Sequence, residues 1–142
     1  MYKPILVYAN SKDKAMESIN LQQAIKPSLN LLKLTFGLVP IVAGADKFTN
    51  FLTNWEQYIH PGIVDLLPFS GHTFMMIVGV IEIIAGIIVL KKTELGGYIV
   101  AAWLTLIALS LLASFSYLDV AVRDLVMAIS AYVMARISKF IV

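Results

Sequence analysis

Cysteine is missing from all 142 residues. Its absence excludes a disulfide framework, thiol relay chemistry, an iron–sulfur cluster held by this chain and a thiolate zinc site. Charge is scarce too: Asp, Glu, Lys and Arg make up 14%, against about 25% in an ordinary soluble domain. The net charge of +2 is dispersed, and no basic cluster is interleaved with aromatics, so nucleic acid is not an expected partner. The chain has no P-loop, GxSxG, HExxH or dinucleotide fingerprint. Its two histidines, His60 and His72, lie in one loop without a third ligand in view. No metal site is expected from them.

What is abundant is apolar surface. Apolar residues reach 59% and mean hydropathy is +0.83, where a soluble domain is usually about 45–50% apolar. The excess calls for lipid as solvent. Four apolar stretches stand out, at about 28–45, 73–90, 95–117 and 118–137. Each approaches the roughly 20 residues that cross about 30 Å of hydrocarbon as a helix. The stretches lack period-2 alternation and are too long for barrel strands. The sequence therefore predicts an all-α fold, a four-transmembrane-helix antiparallel bundle occupying 28–137. The segment 1–27 lacks the apolar core of a cleaved signal and reads as a cytoplasmic N-terminal tail. Residues 138–142 read as a short C-terminal tail.

Lys and Arg set the orientation. Lys3, Lys12, Lys14, Lys26, Lys33, Lys91, Lys92, Arg136 and Lys139 fall on one side of such a bundle, and only Lys47 and Arg123 on the other. Both termini are therefore expected in the cytoplasm, with the protein in a bacterial inner membrane. The turn Lys91-Lys92-Thr93-Glu94 is short and makes its flanking helices neighbours. In the long outer loop, Phe48, Phe51, Trp55 and Tyr58 recur at helical spacing, which predicts an interfacial amphipathic helix over 48–59 that caps the bundle.

Glu82 carries the most chemical information. It sits mid-span, where a carboxylate costs at least about 2.5–3.5 kcal/mol on insertion scales. Gly79, Glu82 and Gly86 share one helix face, allowing close approach of another helix. Glu82 is expected to point into the bundle as either a structural glutamate or a proton- or ligand-binding carboxylate. Depth along the helices makes Trp103 or Arg123 the expected hydrogen-bond donor. Asp124 shares its face with Ala128, Ala131 and Ala135, a small-residue stripe suited to close packing. Glu82, Trp103, Arg123 and Asp124 are thus the candidate proton or quinone site. Lys33 is expected to snorkel toward the inner surface, and Gly37 and Gly44 to let helix 1 pack closely. Asp46-Lys47 is expected to play a surface role at the outer end of the first span.

Several of these residues also carry a resemblance. Leu32-Lys33-Leu34, Phe36-Gly37-Leu38, and Gly44 with Lys47 fall in the first span. Gly79-Val80-Ile81-Glu82-Ile83-Ile84-Ala85-Gly86 fall in the second, and Arg123-Asp124-Leu125 in the fourth. Over roughly residues 29–137 the chain resembles the DoxX-like family of small four-helix membrane proteins, the group including the DoxD subunit of thiosulfate:quinone oxidoreductase. Lys33 stands where that family commonly has arginine, which weakens any bidentate role there. The resemblance implies a redox-associated membrane subunit, more an accessory component of a larger complex than a catalyst on its own. Its expected partners are membrane lipids and other membrane subunits, with quinone or a bound lipid as the possible small-molecule ligand. The competing readings are a quinone-reactive subunit built on Glu82 and a small transporter. The transporter is disfavoured because the chain shows no inverted repeat of broken helices.

Overall fold

The computed structural model describes residues 4–141, with side chains from Asn10 onward. Lys3 of the inner-side tally and Val142 of the C-terminal tail lie outside the described residues. Among those residues the fold is all-helical, with five α-helices and no strand. They are α1 (Pro4–Asp46), α2 (Pro61–Val64), α3 (Gly71–Lys91), α4 (Thr93–Ala113) and α5 (Leu118–Ser138). Three of them, α1, α3 and α4, are long and apolar enough to cross a membrane. The fourth long helix, α5, carries Asp119, Arg123 and Asp124 in its first two turns.

The segment expected as a separate tail differs from that reading. α1 is one helix of 43 residues that runs through both Pro27 and Pro40. An internal proline deletes a backbone hydrogen bond and usually costs about 3 kcal/mol. Here the runs before and after Pro27 are rich in Ala, Leu, Gln, Lys and Met, the strongest helix formers. Side chains 10–24 are all exposed and Leu29 is the first buried one. The first half of α1 therefore extends beyond the bundle, tied to it near its base where Gln22 Nε2 donates to the Phe140 carbonyl at 3.2 Å.

The bundle is assembled from two close pairs, α1 with α3 and α4 with α5, joined through α3 and α4. Small residues decide both seams. A Cβ placed on Gly44 would stand 2.5 Å from the Gly79 carbonyl oxygen, and one on Gly86 would run into the Gly37 carbonyl. Glycines seven apart on both helices thus bring the α1 and α3 backbones together, where a methyl group could not fit. Across the second seam, Gly97 faces Ala131 and Ala135, and the α5 face of Ala121, Ala128, Ala131 and Ala135 is buried. Lys92 alone separates α3 from α4, and Gly96 backs onto the Ile88–Val89 backbone as the chain reverses. Outside, large aliphatic side chains stay exposed on every long helix, among them Leu34 and Val42, Ile84 and Ile87, Leu106 and Leu109, Ile129 and Val133. Such a coat suits hydrocarbon rather than water.

α4 ends at Ala113, four residues before the expected end of its span. Ser114 Oγ donates to the Leu111 carbonyl and also accepts from the Ser116 amide. These local bonds compete with further helix. Phe115 and Tyr117 then take positive φ, and α5 begins.

The long loop between α1 and α3 also differs from expectation. No amphipathic helix spans 48–59; a single 3-10 turn, Trp55–Tyr58, is followed by the one-turn α2. Helical spacing of aromatics was outweighed by side chains that capture backbone N–H groups. Asp46 takes those of Phe51 and Leu52, and Asn54 takes that of Glu56. Asn50, at φ 51°, turns the chain back as α1 ends. The loop nevertheless caps the bundle: Tyr58 stacks edge-on against Tyr117 at 4.7 Å, and Tyr117 OH donates to Gln57 Oε1 at 3.1 Å.

Candidate functional site: a buried ion pair under the long loop

The site begins where α1 stops. The Asp46 carboxylate accepts four hydrogen bonds: Thr49 Oγ1, Phe51 N and Leu52 N at 3.0 Å, and Trp55 Nε1 at 2.8 Å. Four donors on two oxygens suit a carboxylate. Their effect is to fold residues 46–55 into a tight loop whose purpose is visible at its far end. The Trp55 ring is carried back over the next residue, with Lys47 Nζ 3.7 Å from the ring centroid. A cation held on an indole face is stabilised by the ring quadrupole.

Lys47 is buried, at 3% exposure. Its ammonium donates to Glu82 Oε2 at 2.6 Å, the two side chains being 4% and 11% exposed. The glycine seam makes this reach possible. Gly79 lies against the Lys47 Cβ and Gly44 against the Glu82 Cβ, so the pair spans helices whose backbones nearly touch. Lone burial of either charge would be prohibitive in a low-dielectric interior. Together they form a cross-link between α1 and α3.

Glu82 therefore points inward as expected, but its partner is neither Trp103 nor Arg123. Arg123 turns outward and pairs with Asp119 Oδ2 at 2.7 Å, both side chains largely exposed. Four residues of helix separate the two, and that local pairing was closer to hand than any reach into the bundle. Trp103 does sit in the core, packed against the buried cluster of Ile59, Met75 and Val78. Its Nε1 is buried with no hydrogen-bond partner among the described residues. Asp124 is buried on α5 at 8% exposure, within electrostatic reach of Arg123 and Glu82. Asp46 and Lys47, expected at the surface, are instead central. Lys47 could have been found from the glycine spacing. Gly37 and Gly44 pair with Gly86 and Gly79 in a single antiparallel register, and that register lays the residues after Gly44 beside the Gly79–Glu82 turn.

The two histidines are engaged elsewhere. His60 Nδ1 accepts from the Gly62 amide at the start of α2, and His72 Nδ1 lies 3.5 Å from Glu56 Oε1. Among the described residues, no group of three or more His, Asp or Glu could hold a metal ion.

Comparison of the chain with protein-family models, curated proteins and solved structures returned no match.

Proposed function

We propose that the chain is a four-span subunit of DoxX-like type in a bacterial inner membrane, with both termini cytoplasmic. On this reading it serves as an accessory component of a larger, redox-linked complex. The observation that carries the reading is the engagement of Glu82. The mid-span carboxylate that could have handled a proton or a ligand is held at 2.6 Å by a buried ammonium. Its evident work is to clamp two helices. In this account α5 is the fourth span. Its buried Asp124 and alanine stripe face the bundle, and its Asp119–Arg123 pair sits at the outer boundary. The aliphatic coat faces lipid and partner helices.

A quinone-reactive reading retains one specific support. Among the described residues the Trp103 indole N–H is buried without a hydrogen-bond partner, against the same core cluster that Trp55 packs on. An N–H donor in that state suits a carbonyl oxygen.

Purification of the intact protein from its native membrane in mild detergent separates the two. Mass spectrometry of stoichiometric membrane-protein partners, with no quinone in the extract, is the expected result. A lone protein carrying bound quinone would replace the accessory reading with the enzymatic one. Orientation has its own check: cysteines introduced at Ser11 and Ser138 should resist an impermeant thiol reagent in intact cells, while one at Thr53 should react.

A further inference from the structure

At the end of the bundle opposite Lys47 lies an open cleft of about 220 Å³, lined by Leu29, Asn30, Lys33, Thr93, Glu94, Ser138 and Ile141. Two of these are charged and of opposite sign. Lys33 is half-buried and Glu94 exposed. Among the described residues neither makes a hydrogen bond or an ion pair, although they line the same cleft. The geometry points to this cleft as the seat of a zwitterionic, amine-bearing phospholipid headgroup, phosphate toward Lys33 and ammonium toward Glu94.

The inference rests on the four-span reading, which puts this end of the bundle at a membrane–water boundary. Lys26, Asn30 and Lys33 recur at four and three residues along α1, one stripe of donors leading from the water side into the cleft. α4 starts at Thr93 without a side-chain cap, leaving first-turn N–H groups open to an anion. Beside the cleft, Leu31, Leu34 and Leu38 are exposed on α1, a track for an acyl chain. The charges lining the cleft balance, so it matches a dipolar headgroup better than an anionic one. Among the described residues no aromatic side chain lines it, so none of them suits the quaternary ammonium of choline. A primary ammonium, by contrast, has N–H groups to donate to Glu94.

The test is native mass spectrometry of the full chain in mild detergent, offered equal amounts of phosphatidylethanolamine, phosphatidylglycerol and phosphatidylcholine with identical acyl chains. Phosphatidylethanolamine is the lipid expected to be retained. Lys33→Gln should lower its retention roughly tenfold, the loss of one hydrogen bond to a charged group. Glu94→Gln should abolish its advantage over phosphatidylcholine. Equal or better retention of either other lipid by the unmodified chain overturns the proposal, as does a preference untouched by both substitutions. Displacement of the lipid by soluble glycerophosphoethanolamine at equal concentration would assign the cleft to a soluble ligand and overturn the lipid proposal. Thiol labelling at Ser11→Cys keeps the two readings apart. Protected termini with no lipid preference reject the headgroup site alone, and labelled termini reject the proposed orientation.

Discussion

The two ends of this bundle treat their polar groups in opposite ways. Under the loop between α1 and α3, Asp46, Lys47, Trp55 and Glu82 satisfy one another almost completely. At the other end, Lys33 and Glu94 line one cleft and leave each other unpaired. The difference follows from burial. A charge that is nine-tenths buried must carry its partner with it. A half-exposed lysine on a flexible stem can rely on water or a headgroup. The polar residues around Lys47 are therefore part of the architecture, whereas at the other end Lys33 and Glu94 are left without a protein partner among the described residues.

Breaking the outer cluster should have the largest effect. Glu82→Ala strands the Lys47 ammonium in the core and is expected to cost about 3–5 kcal/mol, read as a large fall in thermal midpoint in detergent. A small change in that midpoint would mean that the pair is not buried in solution. The seam beneath the pair comes next. Gly79→Leu must displace the Gly44 carbonyl or push α1 away, an overpacking cost of about 1–3 kcal/mol that also lengthens the Lys47–Glu82 contact. Gly62→Ala, in the loop, is the matched control and should change little, since a Cβ there meets only the His60 ring, at 3.2 Å. Asp46→Ala leaves the Trp55 indole and two loop amides without their acceptor, about 1–3 kcal/mol for a group left unsatisfied. Its signature is a red-shifted, more quenchable tryptophan fluorescence as Trp55 leaves Lys47. The smallest effect belongs to the cleft: Lys33→Gln and Glu94→Gln should each shift stability by no more than about 0.5 kcal/mol. A larger loss there would erase the contrast between the ends.

The helices were legible in the sequence because apolar run length is a strong signal in lipid. The expected spans at 73–90 and 118–137 fall within two residues of α3 and α5 at each end. The inward aim of Glu82 was legible for the same reason, since a mid-span carboxylate has nowhere else to go. What escaped was local competition. Asp46 binding four donors, and so dissolving the helical pattern of Phe48, Phe51, Trp55 and Tyr58, depends on a chain reversal at Asn50 that no periodicity encodes. The identity of the Glu82 partner escaped because depth alone was used to choose it. Lys47 looked like a surface residue at a helix end until the glycine register placed it beside Gly79. The continuity of α1 through Pro27 escaped because the charged and polar residues before it stop the apolar run at about residue 28, and run length says nothing about a helix that continues outside the bundle.

Lys47 and Glu82 act as one cross-link between α1 and α3, and a double-mutant cycle measures that directly. Lys47→Met and Glu82→Met, made singly and together, should show strong coupling in thermal or denaturant unfolding of the detergent-solubilised protein. Each single change strands a buried charge. The double change replaces the pair with apolar volume and should recover at least about 2 kcal/mol relative to the sum of the singles. Additive losses, within about 0.5 kcal/mol, would show that the two residues do not meet and would contradict a bundle pinned at this end.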